Sequence, residues 1–137
     1  MDVAALVAWL VTAGGGFVLF GTWVARGGPQ QARTGETKLP PVVLGGHLLL
    51  AATGLVLWIT YVATDEDALA WASFVLLLPV ALLGFAMLFR WVAERRAVGT
   101  ASPAAEQRFP VPVVVLHGLL AVTTLVLVLL SAAGVGD

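Results

Sequence analysis

His47 and His117 are the only histidines in a chain of 137 residues, and each lies in a segment that is otherwise apolar. An imidazole can move a proton, ligate a metal or anchor a hydrogen bond. At membrane depth such a ring is costly and turns toward a partner or a cavity. The two occupy matching points of an internal repeat. Lys38-Leu-Pro-Pro-Val-Val-Leu-Gly-Gly-His47-Leu-Leu-Leu-Ala-Ala-Thr-Gly-Leu-Val-Leu57 aligns with Arg108-Phe-Pro-Val-Pro-Val-Val-Val-Leu-His117-Gly-Leu-Leu-Ala-Val-Thr-Thr-Leu-Val-Leu127. Ten of these twenty positions are identical. Leu, Val and Ala match often by chance, so Pro40, His47 and Thr53 with their counterparts carry the inference. Gly16-Phe-Val-Leu-Phe-Gly-Thr-Trp-Val-Ala25 aligns in turn with Gly84-Phe-Ala-Met-Leu-Phe-Arg-Trp-Val-Ala93. The first alignment is offset by 70 residues and the second by 68.

The elements that must position these rings follow from composition. The chain is 60% hydrophobic and 11% charged, with a mean hydropathy of +0.99, which leaves too little polar surface for a soluble domain. Four stretches, roughly Val3–Ala25, Pro41–Ala63, Ala68–Phe89 and Val111–Ala133, hold no Lys, Arg, Asp or Glu. Each has about the twenty residues that a bilayer core of roughly 30 Å requires. The expected fold is all-α: an integral membrane four-helix bundle built from two parallel two-helix repeats. It forms a single transmembrane domain over residues 1–137, with repeat one at about 3–64 and repeat two at about 68–135. Two helices per repeat make both halves run the same way, so their axis lies along the membrane normal. The second and fourth helices then become symmetry mates, with their histidines at one depth.

Charge sets the orientation. All seven Lys and Arg (Arg26, Arg33, Lys38, Arg90, Arg95, Arg96 and Arg108) fall in or beside the first and third loops, while Thr64-Asp65-Glu66-Asp67 has none. Basic loops stay cytoplasmic. Loops at about 26–40 and 94–110 are therefore placed in the cytoplasm and both termini outside, as in a bacterial plasma membrane. The bilayer is the expected partner of the helices. The basic loops read as topology signals rather than as sites for anionic lipid headgroups. A net charge of −1 suggests no nucleic acid partner. Met1-Asp2 lacks the basic start of a signal peptide, so the first segment reads as a membrane span. With no cysteine, thiol chemistry, disulfides, covalent haem attachment and cysteine-held zinc or iron–sulfur clusters are excluded.

Pro40 and Pro110 each stand seven residues before their histidine and suit a helix start, where the missing N–H is not needed. Seven residues rise about 10 Å, which places both rings about a third of the way in from the cytoplasmic side. Trp23 and Trp91 are expected in the cytoplasmic aromatic belt, and Trp58, Tyr61 and Trp71 in the outer one. Pro79 and the run Gly14-Gly15-Gly16 are tolerated in membrane helices and receive no chemical role.

Positions three, four and seven onward share a helix face with the histidine. These are Leu50, Ala51 and Gly54 in one half and Leu120, Ala121 and Thr124 in the other. The alanine one turn on and the small residue two turns on leave space beside each ring. A flat macrocycle bound through both faces needs such space, and haem iron accepts imidazole as an axial ligand. Lys38 and Arg108, equivalent in the repeat, are candidate partners for the macrocycle's carboxylates and are also ordinary positive-inside residues. In this layout the chain resembles small membrane b-type cytochromes, in which haem sits between histidines on different helices of a four-helix bundle. The resemblance implies one b-type haem per chain with His47 and His117 as its metal ligands. It also implies electron transfer, possible exchange with a quinone or a larger respiratory complex, and no catalytic residue. Many such cytochromes carry four histidines for two haems; this chain has two, which leaves a full electron path across the bilayer unsupported. No quinone site is visible, and enzymatic activity is left open.

Two other readings stand beside it. The histidines can be structural, bonded to a carbonyl or hydroxyl of a neighbouring helix, in an accessory or assembly subunit of a larger membrane complex. The chain can also be a small transport module of parallel repeats, which would need a homo-oligomer and lacks buried charge. A bare metal ion on two imidazoles is undercoordinated, and Met87, on the third span, is not placed to complete it. No embedded Asp, Glu or Lys offers a proton relay or Schiff base, and a hydrolase triad lacks its acid. Thr53 and Thr123 lie about 120° off the histidine face and are expected to bond helix backbone.

Overall fold

A computed structural model describes residues 1–98 and 101–135. Gly99, Thr100, Gly136 and Asp137 lie outside the described residues, the first two within the second basic loop. The described chain is all-helical. The order is α1 (Asp2–Ala25), α2 (Gly28–Thr34), α3 (Pro41–Thr64), α4 (Asp67–Val98), a single 3-10 turn (Ala105–Arg108) and α5 (Val111–Ala132). Helices α1, α3, α4 and α5 are each long and apolar enough to cross a membrane. Both proline starts hold: Pro40 and Pro110 cap α3 and α5 in extended conformation. The third span runs on past Phe89 to Val98, because Arg90, Glu94, Arg95 and Arg96 continue the helix as a polar extension.

Helix α1 packs most extensively on α5, and α3 on α4. The two pairs form layers. They meet along α4 and α5 and, more sparsely, along α1 and α3, so α3 and α5 stand diagonally opposed. At the acidic end, Asp2 gathers the helices: its carbonyl accepts from Trp58 Nε1 at 3.3 Å, and its carboxylate accepts from the Ser131 hydroxyl. The aromatic positions differ from a lipid-facing belt. Trp58 and Tyr61 are buried with their rings tilted against each other at 4.9 Å, Trp23 and Trp91 are buried at the opposite end, and only Trp71 of the five is exposed. Large rings close the ends of a bundle whose middle is lined by small residues, so packing outweighs interface anchoring here.

The basic end folds into a cap. Gly27 and Gly35 (φ +84° and +76°) adopt the left-handed conformation that glycine enters without strain, and they bracket the short α2. Helix α2 meets the 3-10 turn through Gln31, whose amide donates to the Pro103 carbonyl at 2.9 Å and accepts from the Ala105 N–H at 2.8 Å. The central residue is Glu106, fully buried. Its carboxylate accepts from the Lys38 N–H at 2.6 Å and the Thr37 hydroxyl at 3.0 Å, and its carbonyl accepts from Trp91 Nε1 at 2.9 Å. One side chain thus ties the first basic loop to the second.

Removing a buried acceptor strands its donors at about 2 kcal/mol. Glu106→Ala is expected to lower unfolding stability in detergent by about that amount, measured by circular dichroism. Glu106→Gln, whose amide oxygen still accepts from Lys38, should lose less. Equal stability of Glu106→Ala and the parent would show that the clamp carries no load.

Candidate functional site

The two layers enclose a cavity of about 290 Å³. Trp9, Leu55 and Leu77 bound it toward the acidic end, and Trp23, Leu39 and Trp91 toward the cap. His47 and His117 both line it, one from each layer. Their ring centres are 6.3 Å apart with planes at 63°.

Each ring is held by its own layer. Nδ1 of His117 lies 2.9 Å from the carbonyl oxygen of Thr12 on α1, and Nδ1 of His47 lies 2.9 Å from that of Val80 on α4. A carbonyl only accepts, so Nδ1 carries the proton in both rings. The other nitrogen, Nε2, keeps its lone pair and has no hydrogen-bond partner among the described residues. Thr12 and Val80 are offset by 68 residues and the histidines by 70, the same offsets that relate the repeat sequences.

Glycine makes these bonds possible. In an α-helix a carbonyl is flanked by the residue four positions on. Four beyond Thr12 is Gly16, and four beyond Val80 is Gly84. A Cβ at either glycine would sit 3.2 Å from the Cε1 of the facing imidazole, closer than ordinary van der Waals contact. Sequence reasoning aligned Gly16 with Gly84 but gave them no role. Their identity in a repeat was the available signal; the carbonyls four residues earlier had none, since every residue type supplies one.

The other expected site residues divide. Ala51, Ala121 and Thr124 line the cavity. Thr124 exchanges a 3.2 Å hydroxyl contact with Thr12. Gly54 does not line it; its face is covered by the Trp9 indole, which a Cβ there would approach to 3.0 Å. The side chains of Lys38 and Arg108 are exposed outside the cavity, although their neighbours Leu39 and Phe109 line it. Met87 also lines the cavity. Thr53 and Thr123 donate to the carbonyls of Leu49 and Leu119, as expected for hydroxyls off the histidine face. Among the described residues no group of three His, Asp or Glu side chains is placed to hold a metal ion.

The tautomer assignment has a direct test. With ¹⁵N-labelled histidine at alkaline pH, both rings should give one protonated and one unprotonated nitrogen resonance. Gly84→Val should disturb the His47 pair and leave the His117 pair intact; an unchanged His47 would refute the role of Gly84. No family model, curated protein or solved structure matches the chain, so the geometry of the two rings carries the functional argument.

Proposed function

We propose that the chain is an integral membrane electron-transfer protein that holds one b-type haem between His47 and His117. The four long apolar helices and the confinement of every Lys and Arg to one end support insertion with that end in the cytoplasm. The matched offsets of histidines, glycines and acceptor carbonyls support two parallel repeats about an axis along the bilayer normal.

The observation that carries the reading is the pair of unpartnered Nε2 atoms on rings whose centres are 6.3 Å apart. A metal bound at about 2 Å by one nitrogen of each imidazole sets the ring centres on the order of 6 Å apart. A structural histidine needs one satisfied hydrogen bond, and the Nδ1 bonds meet that need. They do not explain two free lone pairs on one cavity. Transport of a polar solute finds little support in a lining whose polar side chains are mainly His47, His117, Thr12 and Thr124.

The residues fit the group. The Nδ1–H bonds fix each ring's orientation and raise its basicity as a ligand. Ala51 and Ala121 leave the space beside the rings that a macrocycle needs. Lys38 and Arg108 adjoin the cavity-lining Leu39 and Phe109 in the chain, but their side chains are exposed outside the cavity, so the reading rests on the two rings rather than on cations for the carboxylates. When bound, haem supplies a site for one electron, and the water-poor, apolar surroundings tune its potential. A bare ion is less well served, because the two imidazoles leave it undercoordinated.

The protein purified from haem-replete cells should be coloured, with a Soret band and, on dithionite reduction, separated alpha and beta bands. His47→Ala and His117→Ala should each abolish the low-spin spectrum. Gly84→Val should weaken hemin binding by roughly 10- to 100-fold through the lost orienting bond. A colourless preparation that hemin does not alter would overturn the assignment in favour of a structural pair.

A further inference from the structure

The cavity has no opening along the bundle axis. Trp9 and Leu77 are buried at one end, and Trp23, Leu39 and Trp91 at the other, behind the Glu106 clamp. Its exposed lining residues instead lie on the lateral surface: Phe17 on α1, Ala52 on α3, Phe85 on α4 and Val122 on α5. These face the two grooves where the layers meet, α1 with α3 and α4 with α5. Both grooves lie within the apolar spans, so the bilayer is what they face in the membrane-inserted protein.

At the depth of the rings the grooves differ. Leu48, next to His47, lines the cavity on the α3 side. Its equivalent, offset by 70, is Gly118, next to His117 and also in the lining. A Cβ built at Gly118 would meet no atom within 4 Å. Although α4 and α5 meet more extensively than α1 and α3, the space beside the ring is open at Gly118 in the α4/α5 groove, where the α1/α3 groove carries a leucine.

We infer that the slot between the layers is loaded sideways from the bilayer, through a mouth between α4 and α5 at Gly118. This rests on the haem reading: the entrant is a flat, lipid-partitioning macrocycle that slides edge-on between His47 and His117 while the cap stays shut. The layer arrangement suits that path, because each imidazole is bonded within its own layer and no hydrogen bond between the rings has to open.

The test is the rate of hemin uptake by the haem-free protein in phosphatidylcholine vesicles, followed by the Soret band. Gly118→Leu gives the second half the side chain that the first half carries at 48. It should slow uptake about tenfold or more while the final bis-histidine spectrum is unchanged. Leu48→Gly, which opens the other groove, should speed uptake and should restore the rate when combined with Gly118→Leu. Wild-type rates in both single variants would overturn sideways loading through these grooves. Should Gly118→Leu fail to fold, Gly118→Val, a smaller plug at the same point, decides: an unaltered rate refutes the proposal. Failure of the haem reading looks different, since the wild-type protein would then develop no Soret band at all.

Discussion

The site depends on a hydrogen bond between an imidazole N–H and the main-chain carbonyl of a neighbouring helix. That carbonyl is already part of its own helix ladder, so the ring must approach from the side, where the residue four positions on projects its Cβ. Gly16 and Gly84 remove that obstacle. The bond does two jobs together. It satisfies one polar atom of a ring placed among apolar side chains, where an unmet group costs about 1–3 kcal/mol, and it leaves the other nitrogen unprotonated. Because each bond joins helices of one layer, the rings are fixed without any bond across the layers.

The cap supports this arrangement from a distance. A bundle with small residues along its middle must be closed by large ones at its ends, or its layers would collapse onto each other. The rings of Trp9, Trp23, Trp58 and Trp91 supply that volume and are buried. The indole of Trp91 also donates to the carbonyl of Glu106, so the bundle's end plug and the loop clamp share a residue. The seven cations at this end form no ion pair among the described residues, and the side chains of Lys38 and Arg108 are exposed. The clamp itself uses a carboxylate with neutral donors, so both loops are joined without consuming a cation.

Much of this was legible in the sequence. Four helices, their starts at Pro40 and Pro110 and the convergence of His47 with His117 follow from periodicity, proline position and the repeat. Ala51 and Ala121 were found because helical spacing reports which residues share a face with a ring. Gly54 was read by the same rule, yet the structure fills its space with Trp9 from another helix, and a one-helix argument does not see what a neighbour inserts. The tryptophans were read as interface anchors because belts are their commonest role in membrane helices; burial at the bundle's ends depends on tertiary packing. The cap was invisible for a related reason. Helix α2 has only seven residues, and the 3-10 turn is held by Gln31 and Glu106 across more than sixty residues of sequence.

The two halves of the chain match at some positions and differ at others. Residues whose side chain, or lack of one, shapes the site agree between halves: the histidines, Gly16 with Gly84, Ala51 with Ala121, Pro40 with Pro110. The acceptors Thr12 and Val80 differ freely because only their carbonyls are used, and both bonds are 2.9 Å. Where packing sets the requirement, volume is traded between neighbours. Trp9 rests on Gly54 in one half, while the equivalent positions hold Leu77 and Thr124. Along the grooves the match is partial: Phe17 agrees with Phe85, while Leu48 stands against Gly118 and Ala52 against Val122. Matching is thus strictest where a side chain, or its absence, touches an imidazole or the carbonyl it bonds, and it relaxes beside the rings on α3 and α5.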